Sequence, residues 1–190
     1  MTGGEAEGNR FEEIRHELRF EGQIINAGTA TYRHEDGEEV THDRIWHRGA
    51  VAMLALDDSH VWLVRQPRQA AGLPDSLEIP AGKRDRQGEP LIDLARRELV
   101  EEIGKEAQEW RELFDFFPTP GVSDEEVWIY LATGLSDTPG GATPDDGERI
   151  EIVPWPLVEL DAAIAQTRDA KTLVALLWLA RQPFAGSSAS

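Results

Sequence analysis

The longest apolar stretch, GAVAMLAL at positions 49–56, has no polar residue to alternate with and predicts a strand buried on both faces. An Asp57-Asp58-Ser59 turn follows, and His60 to Arg65 (HVWLVR) predicts the next strand. Upstream, TATYRH, then Glu35-Asp36-Gly37, then EEVTHDRIW has the pattern of a hairpin turning on Asp-Gly. The short strands between about Phe11 and His47 predict a small sheet of their own. Leu77 to Gly82 (LEIPAG) predicts a short strand ending in a Pro-Ala-Gly turn.

From Pro90 to Gly104 the period changes. Ile92, Ala95, Leu99 and Ile103 recur three or four residues apart and predict one apolar helix stripe. Pro90 suits the first turn and Gly104 the C-terminal stop. Beyond it, the pattern predicts a Pro/Gly loop (Pro118 to Ser123), a strand (Val127 to Ala132), a long loop (Ser136 to Gly147) and a strand (Arg149 to Trp155). Pro156 to Gln166 and Asp169 to Arg181 predict helices. Leu173, Val174, Leu176, Leu177 and Leu179 suit the second for core packing or a subunit interface. Strands on both sides of a helix, closed by further helices, give a mixed α/β layered domain behind a small antiparallel β subdomain. The expected division is a disordered tail at 1–10, the β subdomain at 11–48, the main domain at 49–184 and a flexible tail at 185–190.

Composition narrows the function. The chain has 190 residues, no cysteine, 19 Lys plus Arg and 36 Asp plus Glu, a formal charge of −17. That length suits one domain with a small appendage. The absence of cysteine removes a disulfide scaffold, a thiolate zinc site and a Cys nucleophile. It also fits a cytoplasmic protein. No apolar run is long enough for a membrane-spanning helix, and none forms a signal-peptide core. The acidic balance argues against nonspecific nucleic-acid binding. An anionic substrate would be repelled unless something neutralises the charge, and metal ions are the obvious means. The histidines show no metal spacing, and there is no Ser-His-Asp arrangement or Walker loop. Trp62, Trp128 and Trp178 read as packing residues.

Glu98, Glu101 and Glu102 fall at i, i+3 and i+4 on the predicted helix, so three carboxylates share one face away from the apolar stripe. Salt bridges, for example to Arg96 and Arg97, or hard divalent cations would relieve their repulsion. The context decides for cations. Glu89, seven residues, Arg97-Glu98-Leu99, Val100, Glu101-Glu102, Ile103 and Gly104 resemble the motif of the Nudix hydrolase family. Two positions depart from it: six residues rather than five separate Gly82 from Glu89, and Lys105 stands where an aliphatic residue is usual. The first bears on how a backbone carbonyl there reaches a metal, the second on packing at the helix end.

The resemblance implies a Nudix-type α/β/α sandwich with a mixed central sheet. It implies Mg²⁺ or Mn²⁺ held by Glu98 and Glu102, with Glu101 as an additional ligand and the Ala81 carbonyl contributing. Arg97 would orient a glutamate or form an ordinary surface pair. Three flanking features are similar to the ADP-ribose pyrophosphatase branch: the N-terminal sheet, Arg65-Gln66-Pro67-Arg68 leading to LEIPAG, and PGVSDEEVWIYLATGL from Pro120 to Leu135. The C-terminal DAKTLVALL (Asp169 to Leu177) is similar as well. The branch implies hydrolysis of ADP-ribose to AMP and ribose 5-phosphate. Another nucleoside diphosphate sugar, a GDP- or ADP-sugar, is the alternative substrate. A non-catalytic nucleotide-sensing module is the alternative in kind, although such modules typically lose the acids retained here. A glutamate on a later loop is the general base in this branch. Glu148 is the candidate, Glu125 the rival, and Glu151 is less suited because it lies inside a strand. Arg68 resembles a substrate-contacting arginine, and Glu78 is a site acid or a strand-edge acid. Arg44, with Trp46, is placed to reach an adenine unless Trp46 belongs to the core. The branch also implies a homodimer whose N-terminal sheet helps complete the partner's site.

Overall fold

The computed structural model describes residues 10–144 and 147–182. The two expected tails therefore lie, apart from Arg10, outside the described residues, as do Asp145 and Asp146. The chain forms two compact units: Met1–Arg48 with Thr119–Glu126, and Gly49–Pro118 with Val127–Ser190.

The first unit is an antiparallel sheet in the order β1-β2-β3, built from β1 (Phe11–Glu21), β2 (Ile25–His34) and β3 (Glu39–His47). Asp36-Gly37 makes the β2–β3 turn as its sequence requires. Gly37 sits at φ +88 and donates its N–H to His34 O at 3.0 Å. The segment 119–126 joins this unit by backbone pairing on both sides of Ile45: Ile45 N–H to Val122 O at 2.8 Å and Asp124 N–H to Ile45 O at 3.2 Å.

The second unit holds β4 (Ala50–Leu56), β5 (His60–Arg68), β6 (Leu73–Glu78), β7 (Ala81–Lys83), α1 (Leu91–Ile103), β8 (Lys105–Phe116), β9 (Val127–Asp137), β10 (Glu151–Pro156), α2 (Leu160–Gln166) and α3 (Ala170–Leu179). Its mixed sheet runs β10-β5-β4-β9-β8, with β6 added to β5 and β7 to β4. β4 and β9 are parallel, and the other pairs are antiparallel. β4 changes partner along its length. Ala50 to Ala52 pair with β7, whereas Ala55 and Leu56 pair with β5. Pro154 and Pro156 are tolerated because β10 is an edge strand.

The unbroken apolar run of β4 is used on both faces, as expected. Val51, Met53 and Ala55 pack with Leu94, Ala95, Leu99 and Ile103 of α1. Ala52 and Leu54 pack with Leu160 and Ala163 of α2 and with Ala175, Leu176 and Leu179 of α3. Each Leu, Ile, Val or Met so buried contributes roughly 1.5–3 kcal/mol of transfer free energy. The helices therefore cover opposite faces of a mixed sheet. Trp62 and Trp128 pack against the first cluster and Trp178 against the second. Among the described residues, no helix is long and apolar enough to cross a membrane.

Four local features differ from the sequence expectation. Ala81 and Gly82, expected in a Pro-Ala-Gly turn, belong instead to β7, where they pair with Ala52 and Val51 of β4. Lys105–Phe116 is a strand of 12 residues that the pattern did not reveal. Lys105 starts that strand instead of weakening the helix end. It is 8 % exposed, its ammonium lies 2.6 Å from Asp137 Oδ1 and 3.8 Å from the centre of the Trp62 ring, and both contacts compensate its burial. The segment after Pro156 begins as a 3-10 turn (Leu157–Glu159) before α2.

Candidate active site

α1 carries the acidic face. It starts after Pro90 without a side-chain cap and ends at Gly104, which takes the left-handed conformation (φ 65) and donates its N–H to Val100 O at 2.9 Å. The loop after β9 closes this end. Thr138 donates both N–H (2.9 Å) and Oγ1–H (3.0 Å) to Gly104 O, and Thr143 N–H reaches Glu101 O at 2.9 Å. The chain leading to Glu148 is thereby tied to the helix that carries the glutamates.

Glu98 and Glu102 face β7. Glu102 is 4 % exposed and accepts the Ala81 N–H through Oε2 at 2.9 Å. Burial, reinforced by Glu98 and Glu148 and opposed by the Ala81 N–H and Lys171, pushes the Glu102 carboxyl up to about 8. Glu98 is pushed up to about 7, again chiefly by burial. Arg97 opposes the shift, while Glu101, Asp85 and Glu148 add to it. A Cβ on Gly82 would fall on the Glu98 side chain, so glycine here leaves Glu98 the room to take this position.

Arg97 gathers the remaining acids. It contacts Glu101 at 2.8 Å, Glu98 at 2.9 Å, Asp85 at 3.0 Å and Glu89 at 3.3 Å. Among these partners is Glu89, the isolated acid of the motif. Asp85 was not singled out in the sequence.

A second cluster lies at the end of β6. Glu78 is 1 % exposed and receives two bonds from Arg68, Nε to Oε1 at 2.7 Å and Nη2 to Oε2 at 2.6 Å. Lys171 Nζ reaches Glu78 Oε2 at 2.6 Å. Burial alone would raise the Glu78 carboxyl, but Arg68 and Lys171 overcome it and hold it at about 2. Sequence reasoning passed over Lys171. The available signal was that it is one of three lysines in the chain and lies within the DAKT stretch.

Glu148 is exposed and lies within electrostatic range of Glu98 and Glu102, both of which it raises. Glu125 and Arg44 belong to the first unit. Arg44 pairs there with Glu13, with Tyr32 Oη at 3.0 Å and with Asp124 Oδ2 at 2.9 Å, and it stacks on Trp46, 5.2 Å from the ring centre. Glu125 lies 3.9 Å from His47 Nδ1, and its backbone N–H donates to Ser123 Oγ at 3.1 Å. Trp46 is partly buried.

The donors on the acidic helix are hard carboxylate oxygens, the type Mg²⁺ and Mn²⁺ prefer. Glu102 is buried, Glu98 is partly buried and the two repel each other, so a divalent cation would relieve both penalties. Among the described residues no three acids converge as a complete ligand set, and Glu101 is turned toward Arg97. Glu98 and Glu102, beside the Ala81 backbone, are thus the pair whose chemistry fits a cation.

The NUDIX domain family model matches residues 46–177. The methanol dehydrogenase activator of Bacillus methanolicus is 33% identical over 181 residues, covering 92% of this chain and 96% of its own. An ADP-ribose pyrophosphatase of Mycobacterium tuberculosis is 41% identical over 128 residues, covering 67% of this chain and 61% of its own. A solved structure described as an ADP compounds hydrolase superposes with a TM-score of 0.77 at 20% identity, covering 93% of this chain and 95% of its own, and so shares the fold. The chain belongs to the NUDIX domain family, as an enzyme of the Nudix pyrophosphohydrolase type.

Proposed function

We propose that the protein is a Mg²⁺-dependent hydrolase, with Mn²⁺ able to substitute, that cleaves the diphosphate of ADP-ribose to AMP and ribose 5-phosphate. The observation that carries this reading is the pair Glu98 and Glu102 on one helix face, Glu98 partly buried beside Gly82 and Glu102 buried against the Ala81 N–H, with the proton affinity of both raised. Such a pair is a poor structural device and a good cation cage. The ADP-ribose pyrophosphatase among the relatives supports the choice of substrate.

The chemistry a bound divalent cation would supply here is neutralisation of the diphosphate charge and a lowered pKa for the attacking water. Glu98 and Glu102 would hold it, with the Ala81 carbonyl contributing, while the Ala81 N–H fixes Glu102 from the backbone side. Arg97 keeps Glu101 and Glu89 in place. Glu148 takes the proton of the water as its oxygen bonds to one phosphorus. The bridging P–O bond breaks, and the bridging oxygen leaves on the other phosphate. Arg68, pinned by Glu78, meets phosphate oxygens or stacks on adenine. The reading takes Glu148 as base, with Glu125 as the rival. A homodimer belongs to the reading, and sedimentation velocity tests it.

The substrate is tested by a panel of ADP-ribose, GDP-mannose and ADP-glucose with Mg²⁺. ADP-ribose is expected among the best by kcat/KM, with AMP and ribose 5-phosphate as products. Preference for another nucleoside diphosphate sugar overturns the substrate. Tight calorimetric binding with no product over hours overturns the enzyme in favour of a sensing module.

A further inference from the structure

Lys171 is the second residue of α3; its side chain is 13% exposed, and its ammonium is held between Glu78 Oε2 at 2.6 Å and Asp169 Oδ1 at 2.9 Å. Glu78 Oε2 also receives Arg68 Nη2 at 2.6 Å, so the two cations share one oxygen of a buried carboxylate. Arg68 spends Nε and Nη2 on Glu78, leaving Nη1, on a side chain that is 43% exposed. Arg68 and Lys171 against Glu78 and Asp169 make a neutral cluster, and each cation also interacts electrostatically with Glu102.

The helix start fixes Lys171 to this strand. Asp169 caps α3 by accepting Thr172 N–H at 2.9 Å. Thr172 Oγ1 donates to Asp169 Oδ2 at 2.6 Å and accepts Ile79 N–H at 2.8 Å. Thr167 Oγ1 donates to Leu77 O at 2.8 Å. Both neighbours of Glu78 are therefore gripped by the segment that carries Lys171.

We propose that Lys171 is a positioning residue for the nucleoside diphosphate sugar. By sharing Glu78 with Arg68 it fixes the Arg68 guanidinium in one orientation, with Nη1 left for an oxygen of the substrate. The inference rests on Arg68 meeting the substrate, as in the function proposed above. Loss of Lys171 leaves the cluster one charge more negative and Glu78 under-compensated in a buried site. An anionic diphosphate then binds less well. The sign is opposite for a divalent cation at Glu102, because a nearby positive charge has gone.

The test compares wild type with Lys171→Met and Lys171→Arg. It measures KM and kcat for ADP-ribose, the calorimetric Kd of its α,β-methylene analogue, the Mg²⁺ midpoint and the thermal midpoint. Lys171→Met is expected to raise KM and Kd at least about tenfold, with kcat much less affected and the Mg²⁺ midpoint unchanged or lower. Lys171→Arg is expected to recover most of the loss. An unchanged KM overturns the proposal. So does a joint weakening of substrate and Mg²⁺ binding that follows a fall in thermal midpoint, which marks a structural role. If Lys171→Met does not fold, Lys171→Gln is judged by the same outcomes. If wild type cleaves no nucleoside diphosphate sugar, the function proposed above fails, and the Kd of the analogue still decides for or against Lys171.

Discussion

Gly82 and Glu98 compete for the same space: a methyl group on Gly82 would overlap the Glu98 carboxylate carbon. The glycine of the motif is thus explained by the glutamate 16 positions later. Gly82→Ala should push Glu98 aside while leaving both apolar clusters intact. Because a displacement of about 1 Å at a reacting centre can cost roughly 10²-fold, kcat/KM is expected to fall by about that factor. The thermal midpoint should move little. Steady-state kinetics beside a melting curve check this; near-wild-type turnover would show that Glu98 need not occupy this position.

Glu148→Gln should keep most of the Mg²⁺ affinity and lower kcat by roughly 10²–10⁴-fold, the usual contribution of a general base. Mg²⁺ titration and single-turnover kinetics on the same sample separate the two effects. If the variant turns over like wild type, the base lies elsewhere, and Glu125→Gln is the next variant to make.

The two raised carboxyls make stability fall with pH in the absence of metal. Glu98 at about 7 and Glu102 at about 8 lie above the ordinary glutamate value of about 4.3. Between these limits the folded chain binds more protons than the unfolded one, so their contribution declines as pH rises from about 5 to about 8. Melting in EDTA should show a shallower decline for Glu102→Gln than for wild type. Added Mg²⁺ should raise the wild-type midpoint more at pH 8.5 than at pH 5.5. A metal-free midpoint with the same pH slope in both proteins would contradict it.

Gly104→Ala should destabilise the protein whatever its effect on activity. The residue is at φ 65, and an added Cβ would meet Gly141 C at 2.7 Å. A non-glycine residue there costs about 1–3 kcal/mol before any clash. Chemical denaturation should give a ΔΔG in or above that range. A neutral result would mean that the 138–143 loop does not pack on the helix end as described.

Much of this architecture was legible in the sequence where one period persisted. The β4 run, the Asp-Gly hairpin and the α1 stripe each repeat a simple pattern, and the spacing of Glu98, Glu101 and Glu102 is a helix property. β8 was not legible for a local reason. Its partly buried Ala107, Trp110 and Leu113 fall every third residue, and a register shift between Glu112 and Phe114 breaks the alternation. The Lys105 departure looked like lost packing because its compensation comes from Trp62 and Asp137, distant in sequence. Lys171 stayed hidden for the same reason, since its partner Glu78 lies 93 residues away. The four acids around Arg97 could be listed from the motif and its loop, but their convergence needed the fold.

Calorimetric titration of Mn²⁺ into wild type and Glu102→Gln at pH 7.5 bears most directly on the acidic helix as a cation site. The amide keeps an oxygen for the Ala81 N–H and removes the charge. Wild type is expected to bind, and the variant at least about 100-fold more weakly with an unchanged fold by circular dichroism. Equal affinity in the two proteins, or no binding by wild type, would contradict the assignment.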